Sequence, residues 1–237
     1  MTTLDQQTAF VTGANRGLGQ EFVRQLLERG AAKVYATARD ASKIDTSDPR
    51  VVALELDVTD PESVRRAAAA APDVTVLINN AGILSGGDLL DGDQSKLRQE
   101  FDTNFFAPLH LTSALADRIV ENGNGVVLNV HSALSWISFG GTYEPTKAAL
   151  WSATNGLRLA LAPKGVQVVG LHVGYVDTDM VATVEAPKSS REDVVRAALD
   201  GVEAGDLEVL ADEVSRQVKA GLSAPIEAMY PQLTVAV

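Results

Sequence analysis

The chain has 237 residues, 46% of them hydrophobic, no cysteine and a formal net charge of −11 at pH 7. This is enough apolar material for one domain with a large core, and the missing cysteine excludes disulfides and thiolate metal sites, so no metal is expected. The acidic balance argues against nucleic acid or an anionic membrane as partner, and no run approaches the ~18 consecutive apolar residues of a membrane span. The opening Met-Thr-Thr-Leu-Asp-Gln-Gln lacks the basic and apolar parts of a secretory signal, so a cytoplasmic protein starting at or near Met1 is expected.

Along the chain, the apolar run Ala9-Phe10-Val11 leads into Thr12-Gly13-Ala14-Asn15-Arg16-Gly17-Leu18-Gly19, and residues 21–27 then carry apolar side chains at helical spacing. Strand, glycine turn, helix is the arrangement that binds phosphate. Glycine lets the backbone turn tightly and approach an anion, and the helix start offers free N–H groups and a partial positive charge. Runs at 33–37, 51–56, 74–79, 126–130 and 166–172 read as further strands. Asp60-Pro61 predicts a helix start, with Asp as cap and Pro in the first turn, and the alanines 67–71 end that helix. Gly86-Gly87 and Gly92 mark a loop after the fourth strand, at the carboxyl edge where open sheets bind ligands. Another helix begins at Ser190, with Asp193 three residues on, and a further helical pattern covers 213–221. Strands alternating with helices predict one doubly wound α/β domain over 1–237, with a parallel sheet covered on both faces.

Tyr143 and Lys147 stand four residues apart in a helical stretch, on one face. An ammonium beside a phenol favours the phenolate, drawing its pKa down from about 10 and making it a usable proton donor near neutrality.

The glycine loop with the spacing Thr-Gly-x-x-x-Gly-x-Gly, followed by Tyr143-x-x-x-Lys147, resembles the short-chain dehydrogenase/reductase family. Asp57, Asn79-Asn80-Ala81-Gly82, Asn104, Ser132, Gly174 and Thr178 extend the resemblance from about Thr8 to Thr178. It implies a Rossmann-like fold and NADP(H)-dependent interconversion of a small ketone or aldehyde and an alcohol. Tyr143 would be the acid/base, Lys147 its tuner, Ser132 the holder of the substrate oxygen, and Asn104 part of a water-linked proton relay. The cofactor would lie against Gly13, Asn15, Arg16, Gly17, Leu18, Gly19, Arg39, Asp57, Val58, Asn80, Ala81, Gly82, Tyr143, Lys147, Gly174, Val176 and Thr178. Within that set Asp57 would meet the adenine and Thr178 the nicotinamide carboxamide.

Arg39 and Arg16 stand where the resemblance places cations for a 2′-phosphate, which favours NADP(H) over NAD(H). The spacing from Ser132 to Tyr143 is shorter than is usual in the family, which makes Ser135 and Ser138 rivals for the serine role. His131 is expected to be a packed residue without chemistry. Leu109, Leu111, Leu115, Leu150 and Trp151 lie on the two helices that build family dimers, so a homodimer or homotetramer is expected. The part from about 179 to 237 is the least family-like and would set substrate choice. Its short stretch after Thr178, with Ala182, Ala186 and Pro187, predicts an open cleft. Two other readings are a non-catalytic nucleotide-binding relative and an NAD-dependent dehydrogenase.

Overall fold

The computed structural model describes residues 2–91 and 93–234, so Gly92 of the predicted loop lies outside the described residues. Seven parallel strands form one sheet in the order β3-β2-β1-β4-β5-β6-β7. In chain order the elements are β1 (Thr8–Thr12), α1 (Gly17–Glu28), β2 (Lys33–Ala38), β3 (Val51–Glu55), α2 (Pro61–Ala70), β4 (Val76–Asn79), α3 (Ser95–Phe101), α4 (Ala107–Asn122), β5 (Val126–Val130), α5 (Tyr143–Leu161), β6 (Gln167–His172), α6 (Arg191–Ala204), β7 (Glu208–Leu210), α7 (Glu213–Gly221) and α8 (Ile226–Met229). Strands β2 and β3 lie to one side of β1 and β4 to β7 to the other, so the winding reverses between β1 and β4 and opens a crevice at their carboxyl ends.

The unbroken apolar strands are explained by burial on both faces. Alternate residues point to opposite sides of a strand. Ala9, Val11, Val76, Ile78, Val126 and Leu128 therefore pack with Phe22 and Leu26 of α1 and Val194 and Leu199 of α6. Phe10, Leu77, Val127 and Val168 pack on the other face with Val64 of α2, Leu111 and Leu115 of α4, and Leu161 of α5.

Helix starts follow their caps. The Asp60 carboxylate accepts from the Glu62 and Ser63 N–H groups with Pro61 in the first turn, and Ser190 Oγ accepts from Asp193 N. Two elements depart from the sequence reading: residues 208–210 add a seventh strand, and 226–229 form a short helix. The interface expectation is corrected for three of its side chains. Leu111, Leu115 and Leu150 are buried within this subunit, and Trp151 packs edge-on against Trp136. The three leucines face the fold and are not available to a partner, whereas Leu109 and Trp151 remain partly exposed.

Candidate active site

At the β1 end of the crevice the backbone itself is the binding surface. Gly13 and Gly17 adopt left-handed φ values of +65° and +56°, which side-chain-bearing residues rarely take. A Cβ on Gly19 would stand 2.1 Å from the Gly13 carbonyl oxygen, so this glycine lets α1 press against the turn. The turn is tied to β4: Thr12 Oγ1 accepts from the N–H groups of Asn80 and Ala81, each at 2.9 Å, and Asn80 Nδ2 donates to the Thr12 carbonyl at 2.8 Å. No side chain caps α1, which leaves its amino end available to an anion.

Arg39, just past β2, is exposed, and among the described residues its guanidinium makes no hydrogen bond or ion pair; its one noted effect is to draw down the nearby Asp57. The Asp57 carboxyl is held below its usual range first by hydrogen bonds from Thr59 and then by the Arg39 charge. Arg16 reaches Asp179 at 3.2 Å, a pair about three-quarters exposed and therefore weak.

The other end is built around Ser132, which follows β5. Its Oγ accepts from Leu134 N at 3.1 Å, leaving its proton free to point elsewhere, and it lies beside the Tyr143 phenol at the start of α5, whose ionised form it favours. Lys147, one turn along α5, is buried; its Nζ donates to the Val130 carbonyl at 2.8 Å and lies 5.6 Å from the Tyr143 ring centre. Burial draws the Lys147 ammonium down to about 8, so it remains mostly charged at neutrality.

The phenol behaves differently from the sequence expectation. Desolvation by the cleft walls, then the nearby Glu100 and Glu144, push Tyr143 above its ordinary value, and only the Ser132 hydrogen bond acts downward. The protein alone therefore keeps Tyr143 protonated, as a proton donor requires.

Asn104 lies in a widened π-helical turn, Asp102–Phe106, between α3 and α4. Its Oδ1 accepts from Ile83 N at 2.8 Å, and its Nδ2 donates to the Ile83 carbonyl at 2.9 Å and to Thr146 Oγ1 at 3.2 Å. A Cβ on Gly82 would come within 3.2 Å of Asn104 Oδ1 and 3.9 Å of Lys147 Nζ, so the glycine keeps the space between them open. Single π turns often sit at functional sites because the extra residue interrupts the regular ladder.

Behind Ser132 lies a stack of rings. His131 stacks on His172 at 4.7 Å between ring centres, and His172 on Trp136 at 3.9 Å. Lys219 Nζ sits 4.7 Å from the Trp136 ring centre and 5.2 Å from that of Trp151, and it pairs with Glu208 at 2.7 Å. His172 Nδ1 is 3.2 Å from the Ser132 carbonyl, which can only accept, so this nitrogen carries the proton. Burial holds His131 well below its usual pKa and His172 down to about 4, so both rings are neutral at pH 7.

A model of the family described as short chain dehydrogenase matches residues 7–189. The chain belongs to the short-chain dehydrogenase/reductase family. Among solved structures it resembles a short-chain dehydrogenase from Burkholderia cenocepacia in complex with NADP, at 37% identity and TM-score 0.92, covering 98% of both chains. It also resembles an NADPH-bound carbonyl reductase from chicken fatty liver, at 28% identity and TM-score 0.77 over 84% of this chain and 91% of that one. Among curated relatives, the 3-oxoacyl-[acyl-carrier-protein] reductase of Vibrio cholerae is 30% identical over 214 residues, 86% of this chain and 85% of that protein.

In this oxidoreductase of the short-chain family, the site residues expected from sequence converge on one cleft of about 1280 Å³. Gly13, Asn15, Arg16, Gly17, Leu18, Arg39, Asp57, Val58, Asn80, Ala81, Gly82, Gly174, Val176 and Thr178 line it together with Ser132, Tyr143 and Lys147. Gly19 and Asn104 do not: the first is a packing glycine and the second supports the wall from behind. The rival serines are also off the cleft. Ser135 is buried with its hydroxyl unpartnered, and Ser138 lies in the following loop, where its N–H donates to the Tyr230 hydroxyl at 3.0 Å.

The short stretch after Thr178 is pinned by a bridge between Val176 and Ser189, and its Met180 and Val181 line the cleft along with Ala182, Ala186 and Pro187. Sequence reasoning missed Thr12, whose hydroxyl joins the turn to β4, and the ring stack. Thr12 stood inside the quoted motif and could have been found there. The stack draws on residues from 131 to 219 and leaves no local signal.

Proposed function

We propose that the protein is an NADP(H)-dependent carbonyl reductase or alcohol dehydrogenase. The observation that carries this reading is the convergence of the Ser132 and Tyr143 hydroxyls and the Lys147 ammonium at one end of a cleft whose other end presents Arg39 without a hydrogen-bonding partner. The glycine turn, the uncapped start of α1 and the exposed guanidinium suit a dinucleotide with an extra phosphate; Gly13, Asn15, Gly17 and Leu18 would hold the pyrophosphate, Arg39 and Arg16 the 2′-phosphate, Asp57 and Val58 the adenine, and Asn80 to Gly82, Gly174, Val176 and Thr178 the nicotinamide half. When bound, the cofactor supplies the hydride that no side chain can.

The chain's own residues do the rest. Ser132 Oγ, with Leu134 N already on one lone pair, directs its proton at the carbonyl oxygen. Tyr143 passes its proton to that oxygen as negative charge develops there, the Ser132 hydroxyl favours the phenolate left behind, and the Lys147 ammonium lies 5.6 Å from its ring centre. Asn104 and Gly82 keep open a space beside Lys147 Nζ through which water can restore the proton. The substrate would be a small-molecule carbonyl or alcohol, with residues from about 179 to 237 setting the choice. A cysteine-free chain in which, among the described residues, no helix is long and apolar enough to cross a membrane suits the cytoplasm. A homodimer or homotetramer would use outward positions of α4 and α5, such as His110 and Leu159.

The test is initial-rate kinetics with NADPH and NADH against a panel of ketones and aldehydes. Turnover with a preference for NADPH supports the reading. Tight NADPH binding without turnover of any carbonyl would favour a non-catalytic role, and preference for NADH would overturn the cofactor assignment.

A further inference from the structure

Resting on that reading, we propose that the substrate is a ketone or secondary alcohol bearing a bulky aryl or alkyl arm, recognised by apolar contact. Among the described residues there are twelve exposed large apolar side chains, and five of them, Leu84, Phe139, Tyr175, Met180 and Val214, line the same cleft. Single exposed apolar residues need no explanation, but their convergence on one concavity does. They come from four separate places: the segment after β4, the β5–α5 loop, the segment after β6, and α7.

Two of these segments reach the reacting groups, and the other two border the same cleft. Phe139 lies four residues before Tyr143, and its N–H donates to Glu144 Oε1 at 3.0 Å. Leu84 follows Gly82, whose added Cβ would lie 3.9 Å from Lys147 Nζ, and an added Cβ on Gly174 would meet Val214 Cβ at 3.2 Å.

The cleft is thus divided along its length. Beside β1 to β3 its walls are Arg16, Arg39, Asp57 and Thr59, with Met180 next to the Asp179 that pairs with Arg16; Leu84 and Phe139 line it toward Lys147 and Tyr143, and Arg98, Gln99, Asp102, Lys188 and Arg191 supply polar side chains. A polyol laid against the apolar walls would lose hydration at several hydroxyls without a replacement partner, which is costly, whereas a hydrocarbon arm gains there. Phe139 is 72% exposed in the free protein, so covering it with substrate removes apolar surface from water that folding has left uncovered.

The experiment is kcat/KM with NADPH for a series from 2-butanone to 2-octanone and for aryl alkyl ketones, beside a ketose and acetoacetyl-coenzyme A. The series should rise toward the long and aryl members by up to about fourfold per added CH2, the limit set by full transfer of a methylene out of water. Phe139→Ser and Val214→Ser should each flatten that slope. Leu207→Ser, 55% exposed and outside the cleft, should leave it unchanged. A flat series, or a ketose or thioester preferred over every long ketone, overturns the substrate class while leaving the reductase reading intact. No turnover of any carbonyl compound with either cofactor overturns the reductase reading itself.

Discussion

The two ends of the cleft are constructed by different means. At the β1–β4 end, backbone does the shaping: left-handed Gly13 and Gly17, the close packing of Gly19, and the Thr12 hydroxyl with the Asn80 amide binding one strand end to the next. At the β5–β7 end, side chains from distant parts of the chain shape the site, with His131, His172, Trp136, Trp151, Lys219 and Glu208 packed behind Ser132. A surface made of backbone suits an invariant ligand such as a dinucleotide. A surface made of side chains can change its substrate without altering the sheet, which is why one fold hosts many specificities.

The largest expected effect lies at the reacting hydroxyls. Tyr143→Phe should lower kcat by about 10²- to 10⁴-fold, with the dissociation constant for NADPH, followed by nucleotide fluorescence, within a few-fold of the parent. Ser132→Ala should cost about 10²-fold or more, as loss of one preorganised donor does, whereas Ser135→Ala and Ser138→Ala should leave kcat near the parent. The reverse ranking of the serines would show that the shortened loop has moved the oxygen-holding hydroxyl.

Next in size is the cofactor end. Arg39→Asp removes a phosphate partner and offers a 2′-hydroxyl an acceptor, so the NADPH-to-NADH ratio of kcat/KM should fall by about 10²-fold, the equivalent of one or two charged hydrogen bonds. Arg16→Ala should do less, since Arg16 already pairs with Asp179. An unchanged ratio in Arg39→Asp would place the 2′-phosphate elsewhere.

How much was legible follows the same division. Glycine turns, caps and strand runs are local, so the first six strands, the Asp60 and Ser190 helix starts and the cofactor motif can be read from neighbouring residues. Ser132 was legible because the end of β5 sets its place whatever the loop beyond it does. The three-residue β7 was too short to carry a pattern, and Leu111, Leu115 and Leu150 are apolar whether a helix faces its own sheet or a partner. The upward push on the Tyr143 phenol also needed the structure, because its burial and the approach of Glu100 from α3 are set by tertiary packing, and only Glu144, the next residue, is local.

A smaller effect distinguishes the ends by pH. His172 is held down to about 4 from an ordinary 6.5, so below pH 6.5 the unfolded chain binds a proton that the folded chain refuses. Its contribution to stability is therefore intact above about 6.5 and falls as pH drops toward 4, by about 2 kcal/mol at pH 5. His172→Phe abolishes that loss while giving up the hydrogen bond to the Ser132 carbonyl. In urea unfolding the variant should be less stable than the parent at pH 7.5 by about 1 kcal/mol and should overtake it by pH 5. A gap between the two that does not change with pH would mean that His172 titrates normally in the folded protein.

On the proposed reading, one end of the cleft selects the cofactor and the other the substrate, with little energetic coupling between them. It is tested most directly by kcat/KM for the parent, Arg39→Asp, Phe139→Ser and the double variant, each with NADPH and NADH on 2-butanone and 2-octanone. The account predicts that Arg39→Asp changes only the cofactor ratio, Phe139→Ser only the ketone ratio, and that the double variant matches their sum within about 0.5 kcal/mol. A cofactor ratio shifted by Phe139→Ser, or a coupling above about 1 kcal/mol in the double variant, would contradict it.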